Sequence, residues 1–63
     1  MIIQLEPELI EDLDNLRRSI INLLNRPDLL IDLVQDQLLI NEIDGNELSE
    51  KDQNIISEFF GRL

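Results

Sequence analysis

A chain of 63 residues with 14 Asp and Glu against 5 Lys and Arg, and a formal charge of −9, has room for one small acidic domain spanning residues 1–63. It contains no His, Cys, Trp or Tyr, which excludes imidazole and thiolate chemistry, disulfides and the usual structural-zinc donors. Leu and Ile make up 23 of its 27 apolar residues, too much aliphatic bulk for disorder. A core in a chain below roughly 70–80 residues nonetheless seldom supplies more than ~3–5 kcal/mol, so homodimerisation is the expected supplement.

The opening Met1-Ile2-Ile3-Gln4-Leu5-Glu6 has neither the basic start nor the long apolar run of a signal peptide. No apolar run anywhere approaches the length of a membrane span. The expected setting is soluble and cytoplasmic, with no membrane contact. Ile3 and Leu5 alternate with Gln4 and Glu6, so residues 1–5 read either as a short strand paired between two chains or as a frayed lead-in.

Pro7 suits the first position of a helix, with Glu6, Glu8 and Glu11 complementing its positive end. Leu9, Leu13, Leu16, Ile20 and Leu23 follow at 4-3-4-3 spacing, which predicts a helix over about 7–24. Asn25 is placed as a left-handed C-cap, and Pro27 cannot continue the helix. A second helix is expected over about 27–43, joined to the first as a helical hairpin in preference to one kinked helix. Its apolar residues Leu29, Leu30, Leu33, Val34, Leu38 and Ile40 cover an arc of roughly 200° at ~100° per residue, enough for two neighbours. Asp44-Gly45-Asn46 carries turn chemistry, and Ser49 is placed as the N-cap of a third helix over about 50–60, which docks on the hairpin. The resulting fold class is all-α: a helical bundle of three short helices, with a short extended N-terminal segment as an option.

Chemistry is sparse. Catalytic carboxylates need environments that split their pKa values, and the acids here fall on predicted wet faces. Residues 42–52 resemble a calcium loop superficially, but placing Gly45 at the sixth position puts Ile40 first and Lys51 twelfth, where carboxylates are required. No catalytic residue, metal ligand or cofactor is therefore expected, and the chain is read as non-enzymatic.

Two features remain as candidate binding elements. Asp28, Asp32 and Asp36 recur every four residues, a repulsive row on a helix that a basic partner protein would relieve. Gln37 and Asn41 lie four apart within the apolar arc, where paired amides can set the register of a dimer. Leu13, Leu16, Ile20 and Phe59 join them as core or dimer residues. The arginines have local acids at helical spacing, Asp14 for Arg17 and Arg18 and Glu58 for Arg62. The anionic C-terminal half disfavours nucleic acid, whose affinity comes largely from Lys and Arg on phosphates. The function these readings imply is a small acidic protein–protein interaction module, an adaptor or inhibitor of a basic partner, that self-associates.

Residues 2–16, IIQLEPELIEDLDNL, also resemble the opening of a ribbon-helix-helix protein: a short alternating strand, then Pro-Glu and a helix with Leu-Asp near its end. Arg26-Pro27-Asp28-Leu29-Leu30-Ile31 would then start the second helix. The resemblance implies a dimer that pairs strands and binds DNA as a transcriptional regulator or antitoxin, with the acidic C-terminal segment covering a toxin. The chain departs from that pattern in a longer first helix, in a missing Gly-x-Ser-type turn, and in a strand that offers Gln4 but no Lys or Arg.

Replacing Leu16 by Asp is expected to unfold the chain or split a dimer. Circular dichroism and solution mass read this, and a variant normal in both would refute the assignment of Leu16 to an apolar interface.

Overall fold

In the computed structural model, which describes residues 1–63, the order of elements is β1 (Ile2–Gln4), α1 (Pro7–Glu11), α2 (Leu13–Leu24), β2 (Leu29–Val34), β3 (Gln37–Glu42) and α3 (Glu50–Gly61). The strands form one antiparallel sheet in the order β1-β3-β2. This is an α+β fold and corrects the all-α helical bundle. No helix is long and apolar enough to cross a membrane.

The correction centres on residues 27–43, where the expected second helix is a β-hairpin. Along β2, Leu29 and Ile31 are buried while Leu30, Asp32 and Val34 are exposed; along β3, Leu38 and Ile40 are buried while Gln37 is exposed. That is a period of two. The broad apolar arc expected of a helix with two neighbours belongs instead to a pair of strands with apolar residues on both faces. The turn between them, Gln35-Asp36, contains none of the Gly, Asn or Pro that mark tight hairpins. Gln35 adopts the positive φ itself, at 59°.

β1 pairs with β3 of its own chain, Ile3 opposite Leu38 and Gln4 opposite Gln37. It is therefore neither frayed nor committed to a second copy. Two flanking backbone bonds extend the pairing: Ile40 N–H donates to the Met1 carbonyl (2.9 Å), and Leu5 N–H donates to the Asp36 carbonyl in the hairpin turn (2.9 Å).

The first helix begins at Pro7 as expected but breaks at Asp12, whose φ of −114° and ψ of 38° leave the helical region. The Asp12 carboxylate accepts from the Asn15 side-chain amide at 2.8 Å. A short acidic side chain that finds a partner three residues on competes with the helical ladder at that point. α2 then ends at Leu24 with Asn25 left-handed (φ 54°, ψ 43°). Ser49 caps α3, its hydroxyl accepting from the Asp52 N–H at 3.2 Å.

All three helices lie on one side of the sheet. Nine residues form the core: Leu5, Leu16, Ile20, Leu29, Ile31, Leu38, Ile40, Leu48 and Ile56. Of these, Ile20, Leu38, Ile40 and Ile56 have no exposure at all. Phe59 and Phe60 meet edge to face at 5.3 Å and pack half-buried at the margin.

A left-handed backbone costs an L-residue roughly 1–2 kcal/mol. Gln35→Gly is therefore expected to stabilise the protein, by up to about 1 kcal/mol once the added freedom of the unfolded chain is set against the gain. Thermal melts check this, and a lower midpoint for the variant would show that Gln35 is unstrained.

Candidate functional site

Two features stand out on this fold: a partly exposed charged clip and a bare sheet face. The clip is Arg26. It sits just after the left-handed Asn25, and its backbone N–H donates to the Ile21 carbonyl at 3.1 Å, which directs the side chain away from α2. Its Nη1 donates to Glu42 Oε1 at 2.7 Å and to Asp52 Oδ2 at 3.4 Å, its Nη2 pairs with Glu42 Oε2, and its Nε donates to Asp28 Oδ1 at 3.3 Å. One guanidinium thus ties the α2–β2 loop to the end of β3 and to the first turn of α3. A planar five-donor fork can meet three carboxylates at once; an ammonium cannot do so in this geometry.

The bidentate bond to Glu42, followed by the bond to Asp28, raises the Arg26 pKa further above its already high value. The same contact, with a backbone N–H second, holds the Asp28 carboxyl below the usual carboxylate range. These are the salt bridges of the molecule. Arg17, Arg18 and Arg62 make none, so the helical pairs expected with Asp14 and Glu58 are not formed. The arginine that matters most has partners distant in sequence.

The acidic row does not exist as a helical face. Asp28 lies in the loop beside Arg26, Asp32 on β2 and Asp36 in the hairpin turn. Asp32 is engaged locally, its Oδ1 accepting from the Leu33 N–H at 2.9 Å. Gln37 and Asn41 do share a face, but of a strand, and they do not bond each other. Asn41 Oδ1 accepts from the Met1 ammonium at 2.9 Å, and Gln37 makes a long 3.5 Å contact with Gln4. Leu16 and Ile20 are in the core, with Leu13 and Phe59 packed half-buried against it. No three acids are grouped closely enough to hold a metal ion. In the turn after β3, Asp44 is used internally, accepting from the Asn46 N–H and side-chain amide at 3.1 and 2.9 Å.

The bare face is the side of the sheet turned away from the helices. Residues Ile2 and Gln4 of β1, Gln37, Leu39 and Asn41 of β3, and Leu30, Asp32 and Val34 of β2 point there. Leu39 is the centre of the grid, with Ile2 opposite it on one side and Asp32 on the other. Ile2, Val34, Gln37 and Leu39 line a shallow, nearly wholly apolar depression. Ile2 is 63% exposed, Val34 53% and Leu30 37%. The sequence pattern hides this site, because the same residues also fit the buried arc of a helix. Leu29-Leu30-Ile31-Asp32-Leu33-Val34 does not alternate in sequence, Asp32 being its one polar residue, so the period of two appears only in the burial.

No Lys or Arg occurs in β1, β2, the hairpin turn or β3. The side-chain cations Arg17, Arg18, Lys51 and Arg62 all belong to α2, α3 or the residues just after α3, and Arg26 is engaged in its clip. Asp32 is thus the only charged side chain among the residues of the bare face.

A carboxyl whose pKa is lowered by folding stabilises the native state fully above its unfolded value of about 3.9 and loses that contribution as the pH falls through the lower folded value. Asp28→Asn is therefore expected to melt below the wild type near neutral pH, with the gap narrowing as the pH falls below the ordinary carboxylate range. A gap equal at both ends of a melt series would refute the Arg26–Asp28 coupling. Searches against protein-family models, curated proteins and solved structures return no match to this chain.

Proposed function

We propose that this protein is a non-enzymatic protein–protein interaction module that binds through the uncovered face of its sheet. One observation carries the reading: a three-stranded antiparallel sheet is packed on one side and on the other presents Ile2, Leu30 and Val34 to solvent around a half-buried Leu39. Antiparallel sheets commonly leave one face wet, and that face then reads polar. Here four of its eight side chains are apolar, and contiguous exposed apolar surface on a small domain marks an interaction site. The residue inventory supports the same class, because nucleophilic and general-base chemistry built on imidazole or thiolate has no residues to use.

The ribbon-helix-helix reading has no comparable support. Its strand would have to pair across a dimer and contact DNA, whereas β1 spends one edge on β3 of its own chain and carries no cation.

The test is an affinity capture from the native cell at moderate salt, comparing wild type with Ile2→Lys/Val34→Lys. Both positions are more than half exposed, so circular dichroism is expected to show an unchanged fold. A stoichiometric protein retained by wild type and lost by the double variant supports the reading. Equal recovery by both, or none by wild type, rejects it.

A further inference from the structure

We propose that Asp44-Gly45, in the turn between β3 and α3, is a site of spontaneous self-modification. The native turn holds its reacting groups apart, the bond isomerises to an isoaspartyl linkage when the turn opens, and the rearranged turn no longer seats Glu42 for the Arg26 clip.

This is the one place in the chain where an Asp or Asn precedes a glycine, since the other glycine, Gly61, follows Phe60. The chemistry needs nothing but water. The Gly45 nitrogen attacks the Asp44 carboxyl carbon; an N–C bond forms, a C–O bond breaks, and the amide proton leaves with the carboxyl's hydroxyl as water. The product is a five-membered succinimide. Water adding at its main-chain carbonyl breaks the original peptide bond, leaves a free α-carboxylate and keeps Gly45 joined through the Asp44 side chain. The water lost in the first step returns in the second, and nothing is oxidised or reduced. Glycine favours the attack because no side chain crowds its nitrogen, and the space beside Gly45 is open to 4 Å. Asp12, Asp28 and Asp32 each precede a leucine, whose branched side chain hinders the same approach.

The fold requires the residue that makes the site labile. Gly45 has a φ of 91°, a backbone that side-chain-bearing residues rarely adopt. It also restrains both reacting groups. The Gly45 N–H donates to the Glu42 carbonyl at 2.9 Å. The Asp44 carboxylate accepts from the Asn46 N–H at 3.1 Å and from the Asn46 side-chain amide at 2.9 Å, which turns it past Gly45 toward the next residue. All of these bonds must open before nitrogen and carboxyl carbon can meet, so the reaction proceeds through the open fraction of the turn. Asp44, Gly45 and Asn46 are all exposed, and no buried side chain has to move for that opening.

The consequence runs into the clip. The Glu42 N–H donates to the Asn46 carbonyl at 2.9 Å while its carbonyl accepts from Gly45, so the turn closes on Glu42 from both sides. An isoaspartyl linkage lengthens the main chain by a methylene inside that closed loop, and both bonds cannot survive it. Glu42 is the last residue of β3 and the bidentate partner of Arg26. Release of the turn therefore loosens the cation that the end of β3 shares with Asp52 in the first turn of α3.

The experiment incubates the full chain near neutral pH, native and in denaturant. Isoaspartate is counted with an isoaspartate-specific methyltransferase and a labelled methyl donor, and assigned to a position by electron-transfer fragmentation of a digest. The expected result is isoaspartate concentrated at Asp44, forming at least about tenfold faster in the denatured chain than in the native one. Asn46→Ala, with an unchanged circular dichroism spectrum, raises the native rate about threefold, the worth of one modest hydrogen bond. Asp44→Glu, whose longer side chain cannot close the five-membered ring, forms none at that position. The purified isomer exchanges the Glu42 amide at least about tenfold faster than the native chain and shows a shifted Arg26 Nε–H resonance.

Equal rates in the native and denatured chains overturn the restraint by the fold. Absence of isoaspartate at Asp44 in denaturant overturns the site itself. An isomer with native exchange at Glu42 and a native Arg26 resonance overturns the link to the clip. Should Asn46→Ala lose the fold, the wild-type comparison decides alone.

Discussion

Everything in this molecule depends on β3 holding the middle of the sheet. It is hydrogen-bonded along both edges, to β1 and to β2, and its inward side chains Leu38 and Ile40 have no exposure. β1 has no other sheet partner, and β2 has no other place to put Leu29 and Ile31. The helices supply the opposite wall of the core through Leu16, Ile20 and Ile56. A core of nine buried residues is small, so a central strand that contributes from both edges and one face is what makes it sufficient for one chain.

The helices are legible where local chemistry announces them: Pro7 at the start of the first, Asn25 at its left-handed end, and Ser49 with Asp52 at the start of the last. The hairpin is not. Leucine is a strong helix former, and a run of leucines and isoleucines on both faces of a strand satisfies a helical period as readily as an alternating one. The usual punctuation is missing too, since Gln35 takes a positive φ that sequence normally assigns to Gly or Asn. The helical row of Asp28, Asp32 and Asp36 and the buried amide pair of Gln37 and Asn41 both follow from that one ambiguity. Arg26 is illegible for a different reason. Its partners Glu42 and Asp52 are 16 and 26 residues away, and no local spacing rule reaches that far.

The charge of the chain is organised by layer. The free arginines and the lysine ride on the helical side, and the strands carry only acids and neutral residues. Arg26 is the exception, and it is surrounded: one guanidinium faces three carboxylates, two of them mostly shielded from water. That clip fixes how the last helix closes over the sheet, since the first turn of α3 and the end of β3 share the same cation.

β1 spans only three residues, yet it meets β3 after more than thirty residues of intervening chain. The β2–β3 hairpin closes through a two-residue loop, at far smaller entropic cost than the arrival of β1. During folding, β3 therefore first exists as an uncovered edge flanked by Leu38, Leu39 and Ile40, the kind of strand that recruits other chains into aggregates. β1 is in this sense a kinetic seal. Its few hydrogen bonds close the one edge of the hairpin that Asp32 does not guard.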